Sequence, residues 1–277
     1  MRKSIAVLWL AANLAAGAAW AQPYTPNEAG VTMGHWHLNS RDIEANKKIF
    51  VALGGTATKP GDFDIVRFPG VSVYLNVRAG SPPASGGTVG SVINHVGFLV
   101  PNVQEAVAKW KSAGVAVDPG NNGRVDQAFV VTADGLRVEI LEDKNQKIPI
   151  RHHHVHFYVP DAAIPDMQAW YGKLFGATPG TRGNFKTAYV PGAELAYTKT
   201  DQPTVTTKGR VLDHIGFDVN NLDEFLRKAE AIGVKPVVPA TKNPTNGVSL
   251  AFIADPWGTY IELNQRPNQV YFDANKM

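Results

Sequence analysis

The chain of 277 residues contains no cysteine. That excludes a disulfide scaffold, a thiolate-held zinc or iron–sulfur centre, and a cysteine nucleophile. Charge is also sparse: 18% of residues are Asp, Glu, Lys or Arg, and 27 basic against 24 acidic side chains leave a formal +3. So small an excess, with no Lys/Arg-rich block, gives no footing for nucleic acid. Beyond the N-terminus, no apolar run approaches the roughly 20 residues that cross a bilayer. What remains is a chain with 44% hydrophobic residues, long enough for one or two domains with a true core.

The N-terminus reads as an export leader. Arg2 and Lys3 form a short basic region, residues 5–16 are apolar, and Ala19-Trp20-Ala21 is an A-x-A cleavage site. The expectation is cleavage after Ala21, export through the general pathway, and a periplasmic or secreted protein with no membrane attachment. The absence of a following cysteine excludes a lipid anchor. Removing the two leader bases takes the charge from +3 to +1.

The rest repeats itself four times. GHWHLNS from Gly34, NHVGFLVPN from Asn94, HHVHFYVPD from His153 and DHIGFDVNN from Asp213 each read as a strand. A helix-start residue follows each: Ser40 or Asp42, Asn102, Asp161 and Asn221. Then comes an amphipathic stretch such as VQEAVAKWKSA over 103–113, closed by Gly54, Gly114, Gly176 or Gly233. Short β-like runs complete each unit, the last two joined at Pro69-Gly70, Asp134-Gly135, Pro191-Gly192 or the Asp255–Gly258 turn. The unit is βαβββ. His35, His95, His154 and His214 recur at spacings of 60, 59 and 60 residues. Copies one and three carry His-x-His and copies two and four His-x-Gly, which points to a pair of modules duplicated as a pair. A βαβββ unit leaves one sheet face uncovered, so two units are expected to close around a cavity. The predicted class is α+β: four βαβββ modules, about 31–78, 91–145, 150–200 and 210–267, paired into two barrel-like domains over 22–145 and 146–277. Residues 79–90 and 144–149 are the linkers.

All 8 histidines fall in the four first strands. Residues i and i+2 of a strand share a face, so His35 faces with His37 and His154 with His156. Four residues after the turn glycine, the last strands carry Glu139 and Glu262 in copies two and four, but Tyr74 and Ala196 in copies one and three. A carboxylate in so apolar a strand needs a partner. Either a metal with imidazoles or an Arg or Lys across the barrel would serve.

These motifs, with DPWGTYIEL around Glu262, resemble the vicinal oxygen chelate superfamily of glyoxalases, fosfomycin- and bleomycin-resistance proteins and extradiol dioxygenases. The resemblance covers about 31–267. It implies metal ligands from the first and last strands of paired modules. Carried over, the preferred site is His154, His214 and Glu262, and the second candidate is His35, His95 and Glu139. A two-histidine, one-carboxylate set suits Fe(II), with Mn²⁺ or Zn²⁺ also accepted. Glyoxalases of the superfamily use four protein ligands, and Tyr74 and Ala196 depart from that. Extradiol dioxygenases place a histidine and a tyrosine before the final Asp-Pro-x-Gly segment; here Phe252 holds the tyrosine position and no histidine follows His214. His156 is a candidate replacement acid/base, or a residue that steadies a ligand. Tyr260 is a second catalytic candidate, and Tyr158, Phe252 and Arg137 are candidate substrate contacts, Arg137 either binding an anionic group or pairing with Glu139. The resemblance implies a dioxygenase-like enzyme acting on a small substrate with vicinal oxygens. A metal-bound lyase, isomerase or transferase of the glyoxalase type, and a non-catalytic small-molecule binder, are the alternatives.

Overall fold

The computed structural model describes residues 22–76 and 82–271. The expected leader and the linker residues 79–81 lie outside the described residues. The βαβββ order appears four times. Module one is β1 (Val31–Leu38), α1 (Ile43–Leu53), β2 (Thr56–Thr58), β3 (Ile65–Phe68) and β4 (Val71–Tyr74). Module two is β5 (Ile93–Val100), α2 (Val103–Ser112), β6 (Asp118–Pro119), β7 (Gln127–Val131) and β8 (Arg137–Glu142). Module three is β9 (Arg151–Val159), α3 (Ile164–Phe175), β10 (Thr178–Arg182), β11 (Phe185–Val190) and β12 (Ala193–Lys199). Module four is β13 (Leu212–Val219), α4 (Leu222–Ala231), β14 (Val238–Lys242), β15 (Ser249–Ala254) and β16 (Tyr260–Gln265).

The helix ends follow their residues. The side chains of Asp42, Asn102 and Asn221 accept from the backbone N–H groups of Ala45, Glu105 and Glu224, satisfying donors that the helix itself leaves open. Module three differs: Asp161 opens a 3₁₀ turn over Asp161–Ala163, and α3 starts at Ile164 with no side-chain cap.

Two eight-stranded sheets form, and they depart from the expected pairing of consecutive modules. One sheet runs β14-β15-β16-β13-β1-β4-β3-β2, joining modules one and four; the other runs β10-β11-β12-β9-β5-β8-β7-β6, joining modules two and three. The expected division into 22–145 and 146–277 is corrected accordingly: one sheet is continuous in sequence, and the other is built from the two ends of the chain. Equal repeat spacing carries no information on which copies pair. The short 144–149 link keeps modules two and three in one sheet, as short connections do. The Gly/Pro/Ser-rich link after module one carries the chain to the other sheet.

At the middle of each sheet the two first strands run antiparallel, and each is flanked by its own module's last strand in parallel. Every residue of β1, β5 and β13 is buried, since these strands have the cavity side on one face and packed side chains on the other. The sheets are tied together by Trp36, which meets Phe98 at 5.3 Å and His152 at 5.0 Å, and by Phe68 against Phe98 at 4.5 Å. Backbone bonds from His152 to Pro69 and from Met33 to Pro191, both 2.9 Å, complete the seam.

Candidate metal centres

Strand register builds two clusters. In the first sheet His37 lies opposite His214, and His35 opposite Gly216; Gly216 in turn is in register with Glu262 on β16. In the second, His95 lies opposite His156, and His154 opposite Gly97, which is in register with Glu139 on β8. A Cβ on Gly216 would land in the His35 imidazole, and one on Gly97 in that of His154. The His-x-Gly strand therefore exists to receive the imidazole of the His-x-His strand. Each sheet uses one strand of each kind.

The first centre comprises His35, His37, His214 and Glu262, with one ligating atom from each lying within 4.8 Å of all the others. His214 Nε2 is 2.8 Å and His35 Nε2 3.4 Å from the same Glu262 oxygen. The second comprises His95, Glu139, His154 and His156 on the same criterion. His154 Nε2 and His95 Nε2 lie 3.0 and 3.2 Å from one Glu139 oxygen. All six expected ligands are in these clusters, but His35 and His154 have changed places relative to the expected sets. The reason is the pairing of modules one with four and two with three. Tyr74 accordingly sits beside His37 in the first centre and Ala196 beside His156 in the second. Among the described residues neither Glu262 nor Glu139 meets an Arg or Lys, so the carboxylates are partnered by imidazoles alone at their close contacts, apart from the amide of Gln127 on Glu139.

The electrostatics follow from burial and these contacts. Burial raises the Glu262 and Glu139 carboxyls, but the imidazole hydrogen bonds outweigh it and both end far below the usual carboxylate range. Burial holds His35, His95, His154 and His156 below the ordinary imidazole value, and His37 at about 3. His214 is the exception. Burial depresses it, yet Asp213 and Glu262 together lift it above the ordinary value. Apart from His214, these neutral imidazoles beside ionised carboxylates are in the protonation states that a divalent cation requires. The 2.8–3.4 Å between these imidazole nitrogens and the carboxylate oxygens is the separation of adjacent donors about 2.0–2.2 Å from a shared ion.

A β-bulge precedes each of the four equivalent histidines, at Gly34, Asn94, His153 and Asp213. Successive strand residues normally point to opposite faces, but a bulge re-aims the extra residue. Asp213 Oδ1 thereby reaches His214 Nδ1 at 2.6 Å, Asn94 Oδ1 reaches His95 Nδ1 at 2.9 Å, and His153 Nδ1 reaches His154 Nδ1 at 2.8 Å. Gly34 has nothing to offer, and His35 Nδ1 is buried without a protein partner. Strict alternation hides these residues from sequence reasoning. The signal that was available is the short polar residue directly before His95 and His214.

His37 was not singled out from sequence as a ligand or base, although it was placed on the His35 face. Its Nε2 donates to the Asn76 carbonyl at 2.6 Å, and its ring stacks on Tyr74. His37, His35 and Glu262 open onto a cavity of about 780 Å³, with Phe63, Tyr74, Phe252, Asn243, Asn264 and Arg266 on its walls. Phe252 borders this cavity; Tyr260, stacked on Phe252 at 4.8 Å, does not. The second centre opens onto a smaller cavity of about 210 Å³, where Tyr158 and His156, expected beside His214 and Glu262, lie instead with Arg137 and Glu139, because module three pairs with module two. His156 Nε2 meets Thr198 Oγ1 at 2.7 Å and its Nδ1 meets His95 Nε2 at 3.0 Å.

Residues 151–263 match the Glyoxalase/Bleomycin resistance protein/Dioxygenase superfamily. The likeness to this superfamily is that of the matched segment, less than half of the chain. The match spans modules three and four, which the fold assigns to different sheets. Among solved structures, glyoxalase I from Zea mays is similar over 85% of this chain and 92% of its own, with a TM-score of 0.68 and 17% identity. Its V278E mutant aligns over 91% of this chain and 96% of its own at 0.69. A putative dioxygenase from Bacillus subtilis aligns over 92% and 88%, with a TM-score of 0.61 and 14% identity. At such identities these likenesses show a shared fold. No curated protein matches the chain in sequence.

Proposed function

We propose that this protein is a metal-dependent, dioxygenase-like enzyme acting at the first centre on a small substrate with two neighbouring oxygen atoms. The observation that carries this reading is the convergence of His35, His214 and Glu262, with His37 beside them, at the wall of the larger cavity. His35, His214 and Glu262 would hold a divalent ion, with Fe(II) preferred and Mn²⁺ or Zn²⁺ accepted. When bound, the ion supplies Lewis acidity toward the paired oxygens.

The chain's own residues do the rest. Asp213 holds His214 in the tautomer that presents Nε2 to Glu262 and the site. His37 must carry its proton on Nε2, because the Asn76 carbonyl can only accept. Its Nδ1 is left with the lone pair and can accept a hydrogen bond from a substrate hydroxyl, orienting it. Phe63, Tyr74 and Phe252 present apolar ring faces to the substrate, while the Asn243 and Asn264 amides offer hydrogen bonds to its polar edge.

One observation favours a second reading. His37 lies close enough to be a fourth ligand, which would make the site of the glyoxalase type, performing isomerisation or lysis. Oxygen-electrode assays of the Fe(II)-loaded protein with catechols and 2-oxo acids separate the two. Oxygen uptake lost in His37→Ala with metal content unchanged supports the dioxygenase reading. Hemithioacetal isomerisation without oxygen uptake replaces it with the second. Neither activity, together with no metal retention, removes both.

A further inference from the structure

The two centres share a plan but not a charge. Beside the first, Asp213 adds a second carboxylate to Glu262, and the cavity's Arg266 is neutralised by Asp218 at 3.0 Å. Beside the second, the equivalent bulge residue is Asn94, so Glu139 is the one carboxylate in contact with the imidazoles. Its small cavity is lined by three arginines. Arg124 is bonded to Asp126 at 2.9 Å and Arg182 to Glu194 at 2.7 Å. Arg137 meets no carboxylate among the described residues; its guanidinium lies over the Phe129 ring, 4.0 Å from the centroid.

A guanidinium on an aromatic face keeps its donor edge free, and that edge suits a planar carboxylate, which accepts two parallel hydrogen bonds. Neutral imidazoles, one carboxylate and a divalent ion would leave this cavity with a further net positive charge. We propose that the second centre is a separate binding site for a small carboxylate anion, with Arg137 as its counter-charge, while the first centre takes the larger, less charged substrate. The volumes, about 210 against 780 Å³, agree with a ligand of few heavy atoms in the second. The size and the Arg137 contact stand on the protein alone, but the proposal rests on the metal reading for the remaining charge.

The test is calorimetric titration of the full chain with acetate, which lacks a second neighbouring oxygen group, and with its neutral isostere acetamide, in zinc-loaded and chelator-treated protein. Zinc content is measured on the same samples. Acetate is expected to bind, with acetamide weaker by about tenfold or more, the scale of a charge-assisted hydrogen bond. Arg137→Gln should lose the preference for acetate, and Arg137→Lys should recover part of it. Asn94→Asp, which places a carboxylate behind His95, should weaken acetate. Acetate binding within twofold of wild type in Arg137→Gln, or equal binding of acetamide, overturns the proposal. Absence of zinc from every sample would instead remove the metal reading, while the Arg137 comparison in chelated protein would still decide this one.

Discussion

The pairing of modules one with four and two with three makes a stoichiometric prediction that distinguishes it from the pairing of neighbours. His35 and His214 approach the same Glu262 oxygen, at 3.4 and 2.8 Å. His95 and His154 share a Glu139 oxygen at 3.2 and 3.0 Å. If each cluster holds one ion, the double variant His35→Ala/His214→Ala damages one centre twice and should retain one ion per chain. The double variant His35→Ala/His95→Ala damages both and should retain none. Neighbour pairing reverses these two results. Removing even an outer partner of a ligand typically costs about 10–100-fold in metal affinity, so loss of a ligand should be plain at micromolar metal. Each lost ion also removes its contribution to stability, about 2.7 kcal/mol when free metal is 100 times the dissociation constant. The second substitution within one centre should therefore add little to the metal-dependent stability loss, whereas substitutions in different centres should add. Metal content by elemental analysis and thermal unfolding with and without metal give both readings. One ion per chain in His35→Ala/His95→Ala would refute the topology-based grouping.

Three further outcomes are expected. Gly97→Ala and Gly216→Ala each drive a methyl into an imidazole, so each should destabilise the fold by about 1–3 kcal/mol and impair metal retention at its own centre only, as metal analysis of the single variants would show. Acid should destabilise the protein below the ordinary imidazole range: burial holds His152 at about 4, so its stabilisation is complete above about pH 6.5 and declines as the unfolded chain takes up its proton, by about 2 kcal/mol between pH 7 and 5 in urea unfolding. His37 acts in the same direction and His214, raised in the fold, in the opposite one; equal stability at pH 7 and 5 would contradict the burial argument. Finally, N-terminal sequencing of protein recovered from an exporting host should begin at Gln22, and an intact Met1 in the mature protein would remove the export expectation.

The module plan was legible because hydrophobic pattern, N-caps and turn glycines agree within each copy. Asp42, Asn102 and Asn221 do cap their helices, and Asp161 misses only because a 3₁₀ turn intervenes. The six ligand candidates were legible for a different reason: histidine and glutamate recur at fixed places in strands otherwise apolar. Arg137 could be read either as an anion contact or as the partner of Glu139, and the contacts with Phe129 and Gln127 exclude the direct pair. The partners Asp213, Asn94 and His153 were not legible, since alternation along a strand sends adjacent residues apart and only a bulge brings them together.

The repeat, the α+β class and the positions able to bind metal were determined by local pattern, which the sequence carries in full. Which histidine shares an ion with which carboxylate was decided by tertiary structure alone. A His-x-Gly strand fits either His-x-His strand, because the clearance that glycine provides is the same in both. The choice falls to connection length and to the seam of Trp36, Phe68, Phe98 and His152 between the sheets. Those are contacts between residues far apart in the chain, and the repeat is blind to them.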